Sequence, residues 1–376
     1  MSSRLQFRLL QLGALFIRAP RLLFKRKYIA DPKRILVIHQ LLLGDALMAT
    51  GLLAQLRKQF PNSDIVVAGP PLLNSVYSSH PYQVEFIPFN PKNWRTFFSL
   101  WREKTFDHAY VVLDNRFSWT AFAIGCRNII GYKNTKKSYK DVPFSHLLPF
   151  PNQQTSIVEI MSGLVDGQED TLEFQPNQWP SPESKPYQKP NKPYVVMHIG
   201  ASTPLKHWHN SLWLELARNI KLLGYQPVWS AGPGEGKQIE AIDPQGLFPS
   251  YAEKLNLAQM WHLIKNAALL VCPDTGISHI AKHTFTPTIC LFGPGNKALA
   301  GYSDFFAKAP FLALDSEPDC RNQHTFFKRQ IDWVQHCKRS VKQCPYQGKC
   351  TKDIKFETVL SSVQEILSAN TAINRE

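Results

Sequence analysis

Residues 34–60 read RILVIHQLLLGDALMATGLLAQLRKQF. The first five residues form an aliphatic, partly β-branched run that predicts a short strand, and a Gly-Asp pair follows at Gly44 and Asp45. From residue 46 to residue 60 the apolar positions recur at helical spacing. A strand, a turn and a helix in this order begin a βαβ unit, so the stretch indicates an α/β fold with a parallel sheet.

The same alternation continues along the chain. Further strand-like runs occur at residues 65–68, 109–113, 194–199, 227–231, 269–272 and 288–292. Helical spacing recurs at residues 213–223 and 258–266. Six prolines lie between residues 176 and 193, a density that fits neither a helix interior nor a central strand. We therefore expect two Rossmann-like domains whose parallel sheets face each other across a cleft.

The length of 376 residues agrees with two domains, because one hydrophobic core rarely organises so long a chain. The expected divisions are a membrane-associating segment (1–33), an acceptor domain (34–175), a proline-rich linker (176–193), a nucleotide-sugar donor domain (194–352), and a C-terminal helix (353–376) that packs back on the N-terminal domain. Because 44% of the residues are hydrophobic and only 19% are charged, a disordered chain is excluded. Seven cysteines, an odd number, argue against a disulfide framework and favour a reducing compartment.

Basic residues are concentrated at the start of the chain, whose overall net charge is +14. Within residues 1–34 a single acid, Asp31, accompanies nine basic residues: Arg4, Arg8, Arg18, Arg21, Lys25, Arg26, Lys27, Lys33 and Arg34. Leucine and phenylalanine lie between them, which predicts a basic amphipathic helix broken at Pro20. The longest uncharged run, residues 9–17, is shorter than the roughly twenty residues that cross a bilayer.

We expect this segment to bind an anionic membrane surface on the cytoplasmic side, and an ordinary helix packed on the domain is the alternative. No signal-peptide cleavage site follows the apolar run. No zinc-finger, RNP or helix-turn-helix pattern accompanies the positive charge, so no nucleic-acid partner is expected.

In each predicted domain, the turn after the first strand contains candidate functional residues. Asp45, at the start of a helix, would ordinarily cap that helix by accepting from its free N–H groups. Residues 199–208, IGASTPLKHW, combine small residues that let backbone amides approach an anion with the hydroxyls of Ser202 and Thr203 and the charge of Lys206. That combination suits a diphosphate.

A glycine-rich turn, residues 231–237, reads AGPGEGK but is not a P-loop. Ala231 stands where the first glycine is required, and Gln238 follows the lysine where Ser or Thr is required. An alternative function for this turn is a glycine-rich bend beside a nucleotide. Gly232 would then lie close to the nucleotide, and Glu235 would accept hydrogen bonds from the ribose hydroxyls.

Residues 272–279, CPDTGISH, contain the Asp-Thr-Gly sequence of aspartic proteases at residues 274–276. Such proteases need a second aspartate loop and an all-β setting, and both are missing here. His279 is expected either to bond a phosphate oxygen or to cap its helix.

In this order the four turns resemble the family 9 glycosyltransferases, the heptosyltransferases that build the inner core of lipopolysaccharide. The matching residues are Gly44-Asp45, residues 198–201 with Lys206-His207-Trp208, residues 231–233, and residues 274–279 with 291–294. The resemblance extends over roughly residues 34–367. The three leucines before Gly44 depart from the family pattern, which leaves the acceptor sugar open.

The resemblance implies a GT-B fold and an inverting, metal-independent transfer of heptose from ADP-heptose. It implies that Asp45 is the catalytic base, taking the proton of the acceptor hydroxyl as that oxygen attacks the anomeric carbon. It also implies that Lys206 contacts the donor phosphates and stabilises the leaving diphosphate. The residues expected to bind the donor are Gly44, Ser202, Thr203, Lys206, Gly232, Glu235, Asp274, Thr275, Gly276 and His279.

Two further groups of residues have open roles. Lys133, Lys136, Lys137 and Lys140 are expected to contact acceptor phosphates, and a solvated loop is the alternative. Cys320, Cys337, Cys344 and Cys350 are spaced more widely than zinc ligands usually are. We expect these cysteines to be reduced thiols that pack a loop, with no metal or other cofactor, although some related transferases bind iron with cysteines in this region.

The function expected is therefore heptose transfer to a lipid-linked, phosphorylated inner-core oligosaccharide, by a peripheral protein at the inner face of the bacterial inner membrane. One alternative is a GT-B transferase that uses another nucleotide sugar for cell-surface glycans. Another is a non-catalytic, membrane-associated protein that binds a nucleotide sugar, against which Asp45 and Lys206 together argue.

Overall fold

The computed structural model describes residues 3–24, 26–103, 105–165 and 172–373. They form two compact units. The first comprises Met1–Leu172, Gln178–Pro180 and Thr325–Trp333, and the second comprises Glu173–Asn177, Ser181–His324 and Val334–Glu376.

The first unit contains a sheet of six parallel strands. They are β1 (Arg34–Ile38), β2 (Asp64–Gly69), β3 (Glu85–Pro88), β4 (His108–Val111), β5 (Asn128–Tyr132) and β6 (His146–Leu148). Their order is β3-β2-β1-β4-β5-β6, so the chain builds outward from β1 in one direction and then, starting with β4, in the other. Such sheets are covered on both faces, and accordingly nearly all residues of β1, β2 and β4 are buried.

In the described part of this unit, six α-helices accompany the sheet: α1 (Ser3–Arg18), α2 (Leu43–Met48), α3 (Thr50–Gln59), α4 (Trp94–Arg102), α5 (Ser118–Ile124) and α6 (Ile157–Ser162). The single helix predicted for residues 46–60 is thus two, which meet at Ala49. The hydroxyl of Thr50 donates to the carbonyl oxygen of Leu47 at 2.5 Å. Threonine side chains that bond the backbone in this way compete with the regular helix ladder.

The second unit contains five parallel strands, β7 (Tyr194–His198), β8 (Gln226–Ser230), β9 (Leu269–Pro273), β10 (Thr288–Phe292) and β11 (Phe311–Asp315). Their order is β11-β10-β9-β7-β8, so β7 lies between β8 and β9. The helices are α7 (Asn210–Leu222), α8 (Gly236–Ile242), α9 (Leu257–Lys265), α10 (Gly276–Thr284), α11 (Lys349–Lys352) and α12 (Phe356–Ile373). The prediction of two Rossmann-like units with parallel sheets is confirmed.

The C-terminal helix α12 belongs to the second unit, and its packing on the N-terminal domain stays a prediction. Val359, Val363 and Leu367 recur at four-residue spacing, and all three are buried in the second unit's core beside Trp213 and Trp229. The helix therefore satisfies its apolar face next to the strands of its own unit.

A short antiparallel hairpin is formed by β12 (Thr325–Phe326) and β13 (Arg329–Gln330). It falls within the expected donor domain of residues 194–352 but belongs to the first unit. The expected C-terminal block is therefore interrupted.

The proline-rich stretch 176–193 contains one 3₁₀ turn, Pro176–Gln178, and no other helix or strand. It is not a free tether, because the indole of Trp179 is 1% exposed and lies 5.1 Å from the ring of Tyr77. Burial of a tryptophan holds this part of the stretch on the first unit.

Helix α1 packs on α4 and α5, with Phe7 and Ala14 buried and the Phe7 ring 5.3 Å from that of Phe97. It ends at Arg18, before a 3₁₀ turn at Ala19–Leu23 that contains Pro20. Several large apolar residues nevertheless remain exposed: Leu5, Leu9, Leu10, Leu12, Phe16, Ile17, Leu22, Leu23 and Phe24. Among the described residues no helix is long and apolar enough to cross a membrane. Lys25 and the side chains of Arg4 and Arg21 lie outside the part that is described.

Candidate active site

The centre of the second sheet is the point where its strand order reverses. The turn after β7 and the turn after β9 leave this point in opposite directions, and ligands of open α/β sheets bind there. Lys206 lies in the first of these turns, and Asp274 lies in the second. The strand order thus brings together two residues that are 68 positions apart in sequence.

Lys206 and Asp274 form a close ion pair. The lysine Nζ donates to Asp274 Oδ2 at 2.9 Å and to the backbone oxygen of the same residue at 2.5 Å. The two side chains are only 17% and 13% exposed. Gly295 leaves room for the carboxylate, because a Cβ there would lie 2.3 Å from Asp274 Oδ2. The lysine is therefore held in one place while its third N–H is directed elsewhere.

Helix α10 begins immediately after this pair. Thr275 occupies its N-cap position, yet its side chain makes no cap bond, and the buried Oγ1 has no hydrogen-bond partner in the described part of the chain. Gly276 is the first helical residue and adds no side chain at the helix start. Unpaired donors and the dipole make such a helix start favourable for an anion.

His279 lies in the first turns of α10 and is 4% exposed. Burial, together with the charge of Lys282 and the proximity of His283 and Lys206, holds its pKa well below the usual value, so the ring is neutral at physiological pH. Nδ1 has no hydrogen-bond partner among the described atoms. His279 does not occupy the cap position, which belongs to Thr275.

Glu235 joins the turns after β7 and β8. Its Oε1 accepts from the backbone N–H of Ala201 at 2.9 Å, and its Oε2 accepts from that of Gly232 at 2.7 Å. Gly200 permits this approach, since a Cβ there would lie 2.0 Å from Oε2. A carboxylate offers about four acceptor positions, so these two bonds leave room for a hydroxyl ligand.

Ser202 and Thr203 differ in hydrogen bonding and in exposure to solvent. The Thr203 hydroxyl accepts from the N–H of Leu205 at 3.4 Å and caps the 3₁₀ turn Pro204–Lys206 that presents the lysine. Ser202 is exposed. Thr203 therefore supports the turn, whereas Ser202 is open to solvent.

Asp45 lies at the corresponding reversal point of the first sheet, after β1, which is flanked by β2 and β4. Its side chain is partly buried in the first turn of α2, next to Gly44. The N-cap of α2 is Leu42, so Asp45 does not serve as the ordinary N-cap residue.

Three of the four predicted acceptor lysines line one cavity in the first unit. Lys136, Lys137 and Lys140 line this space of about 370 Å³, together with Lys328 of the hairpin. Lys133 does not line it, but the backbone oxygen of Lys133 accepts from Arg329 Nε at 3.0 Å. Sequence reasoning missed Lys328 and Arg329, because no local pattern links residues 325–330 to a turn some 190 positions earlier.

The four C-terminal cysteines, Cys320, Cys337, Cys344 and Cys350, are partly buried free thiols. Burial raises the pKa of the Cys350 thiol, and nearby Cys320 and Cys344 act in the same direction. Among the described residues, no three His, Cys, Asp or Glu side chains are arranged to hold a metal ion.

Comparisons with known proteins agree on one family. The model of glycosyltransferase family 9 (heptosyltransferase) matches residues 101–310. Lipopolysaccharide heptosyltransferase 1 of Pseudomonas aeruginosa is 32% identical over 117 residues, which cover 30% of this chain and 32% of that protein. Lipopolysaccharide heptosyltransferase 2 of Escherichia coli K12 is 26% identical over 293 residues, 70% of this chain and 83% of that protein.

A solved structure gives the same result for the fold. The E. coli ADP-heptose LPS heptosyltransferase II structure is similar with a TM-score of 0.65 at 18% identity, and the match covers 90% of this chain and 99% of that one. At this identity the likeness concerns the fold alone.

Proposed function

Since the chain belongs to glycosyltransferase family 9, the heptosyltransferases, we propose that it transfers a heptose from ADP-heptose to a lipopolysaccharide inner-core acceptor, inverting the anomeric carbon without a metal ion. In the step proposed, a bond forms between the acceptor oxygen and the anomeric carbon while the bond to the diphosphate breaks. The acceptor proton passes to Asp45, and ADP leaves.

The observation that carries this proposal is the Lys206 ammonium, fixed by Asp274 at the reversal point of the second sheet and beside the start of α10. A leaving diphosphate gains negative charge as its bond to the sugar breaks. A preorganised positive charge in a partly buried site stabilises that charge more in the transition state than in the ground state. This supports a metal-independent mechanism in which Lys206 does the charge stabilisation.

Four groups around Lys206 complete the proposed donor site. The unpartnered Thr275 hydroxyl and the start of α10 at Gly276 suit phosphate oxygens. Neutral His279 has one ring nitrogen available for the same oxygens. Glu235 is proposed to accept from ribose hydroxyls with the lone pairs that its two amide contacts leave unused.

Asp45 is the proposed base because it lies at the reversal point of the other sheet and at the start of a helix. The side chain is partly exposed, and a carboxylate is a group that can take the proton of a hydroxyl. Lys136, Lys137 and Lys140 are proposed to contact anionic groups of the acceptor.

We place the protein at the inner face of the bacterial inner membrane, with α1 as its contact. The exposed apolar residues of α1, together with basic residues such as Arg8, match an interfacial helix that inserts into an anionic leaflet. The lipid-linked acceptor would be reached from that surface.

The test is product formation with ADP-heptose and a heptose-deficient inner-core acceptor. ADP release, a product heavier by one heptose and inverted configuration by NMR are expected, and excess EDTA should leave the rate unchanged. Transfer from UDP- or GDP-sugars in preference to ADP-heptose would refute the donor. Binding of ADP-heptose without any transfer would refute the enzymatic assignment.

A further inference from the structure

The hairpin β12–β13 carries a strained two-residue turn. Phe327 and Lys328 have φ values of 42° and 67°, in the left-handed region that favours glycine and asparagine. Non-glycine residues persist there only where the surroundings hold them, and such residues concentrate at functional sites. The turn presents Lys328, an exposed lysine, to the cavity in the first unit.

Arg329 fixes the hairpin in place. The side chain is fully buried, and its guanidinium donates to the backbone oxygens of Leu113 at 2.5 Å, Tyr132 at 2.9 Å and Lys133 at 3.0 Å, and to Asn115 Oδ1 at 3.1 Å. These acceptors belong to the segments that follow β4 and β5 and to the last residue of β5. The hairpin is thereby tied to the carboxyl ends of two strands.

The cavity has an excess of positive charge. Of the described residues that line it, four are lysines and the single acid is Asp114. That carboxylate is already engaged by Arg116, at 2.6 Å from Nη2 and 2.9 Å from Nε. This one carboxylate is thus shared between Arg116 and the lysines, whose positive charges outnumber it.

Lys140 and Lys328 face each other across this space. The pKa of Lys140 is lowered, first by burial and then by the charge and hydrogen bonding of Lys328. Two ammonium groups at short range repel each other unless an anion lies between them. The polar groups of Asn134, Ser138 and Gln330 add hydrogen-bonding partners to the same cavity.

The cavity and Asp45 lie at the same end of the sheet, where the strands have their carboxyl termini. β1 pairs with β4, and β4 pairs with β5, so the turns that follow these three strands are neighbours. Adjacent strands are about 4.8 Å apart, which separates the turn of β5 from that of β1 by roughly 10 Å. That span is about the length of one or two sugar residues.

We propose that Lys328 completes an anion-binding pocket with Lys136, Lys137 and Lys140, and that this pocket binds a phosphate or carboxylate carried by the acceptor near the sugar that receives the heptose. Arg329 is the positioning residue that holds Lys328 there. The assignment of the anion to the acceptor rests on the proposed function, whereas anion binding by the four lysines does not.

The first experiment measures anion binding without turnover. Lysines of the intact protein are acetylated under limiting conditions, with and without inorganic phosphate or a phosphorylated inner-core acceptor, and each site is quantified by mass spectrometry. Lys140 and Lys328 should be protected together, while exposed Lys342 on the second unit should react unchanged. Unaltered reactivity of Lys328 with both probes overturns the pocket. Protection without heptose transfer would leave the pocket standing and refute the proposed function.

The second experiment measures acceptor selectivity. Lys328→Glu should raise the acceptor KM about tenfold or more with little change in kcat, since a charge-assisted contact becomes a repulsion. Lys342→Glu is the matched control. The effect should vanish with a phosphatase-treated acceptor if the anion is a phosphate, or with a carboxyl-reduced acceptor if it is a carboxylate.

A third variant separates binding from folding. Lys328→Gly removes the charge at a position where glycine is the favoured residue, so its Tm should equal or exceed that of the wild type. The acceptor KM should still rise. A wild-type KM in Lys328→Gly and Lys328→Glu would overturn the proposal.

Discussion

The two units share one architecture but prepare their sites differently. In the second unit the charged side chains at the strand ends are already paired, with Lys206 on Asp274 and Glu235 on two backbone amides. In the first unit Lys136 and Lys137 are exposed, and the lysines around the cavity exceed its available carboxylate.

This difference would suit the two ligands proposed for the units. A nucleotide diphosphate is compact, so a few fixed groups suffice and pairing keeps them in place without a ligand. The proposed glycan acceptor is larger, and exposed lysine side chains can adapt to it at the expense of side-chain entropy. The charged groups of the second unit are therefore preorganised, whereas the exposed lysines of the first unit attract anions through their excess positive charge.

The largest effect should come from the first unit. Asp45→Asn removes the proposed base and should lower kcat by a factor of about 10² to 10⁴, while the Kd for ADP stays within about twofold of wild type. Single-turnover transfer and calorimetric ADP titration measure the two quantities. Asp64→Asn, at an exposed carboxylate at the start of β2, is the control. Weakened ADP binding in Asp45→Asn would show that this residue contributes to donor binding, which would contradict the proposed difference between the two units.

The second unit should respond in both binding and rate. Lys206→Met removes the charge opposite the diphosphate and should lower kcat by a factor of about 10² to 10³, with weaker ADP binding. Lys342→Met, at an exposed lysine of the same unit, is the matched control. Retention of ADP affinity together with the wild-type rate in Lys206→Met would contradict the proposed charge stabilisation.

Both units should lose stability in acid through buried histidines, of which His39 lies in the first unit and His198 in the second. Burial lowers the pKa of His39 and His198 from 6.5 to about 4. The unfolded chain then binds protons that the native state does not, so the free energy of unfolding falls as pH drops from about 6.5 to about 4. At pH 5 each histidine should cost about 2 kcal/mol relative to neutral pH.

Urea unfolding at pH 7 and pH 5 measures this loss. His39→Gln and His198→Gln should each reduce the difference between the two pH values, and exposed His209→Gln should not. An undiminished pH dependence in both buried variants would show that these rings are not the source.

The smallest effect concerns the proposed membrane-binding face, which belongs to the first unit. Phe16 and Leu23 are 86% and 85% exposed, and replacing both with Ser should weaken binding to anionic vesicles about tenfold. Vesicle flotation measures the partition, and added salt should weaken it as well. Leu222→Ser, at a leucine 84% exposed on the second unit, is the control. Equal losses in the two variants would remove α1 as the contact.

Local pattern determined the strands and the site turns. Strand-like runs such as residues 65–68 and 288–292 match β2 and β10 because buried parallel strands are continuous apolar sequences. The four turns also sufficed to indicate family 9, and that resemblance is confirmed. The roles predicted for Asp45, Lys206 and the other site residues stay predictions.

Only the tertiary structure decided which distant residues meet. The pairing of Lys206 with Asp274 depends on β7 lying next to β9, which is a matter of strand order and not of local sequence. The hairpin with Arg329 joined the first unit because its guanidinium finds backbone oxygens there, and α12 joined the second because its apolar face completes that core. Sequence periodicity specifies which face of an element is apolar, whereas the partner that covers that face is chosen by packing across the whole chain.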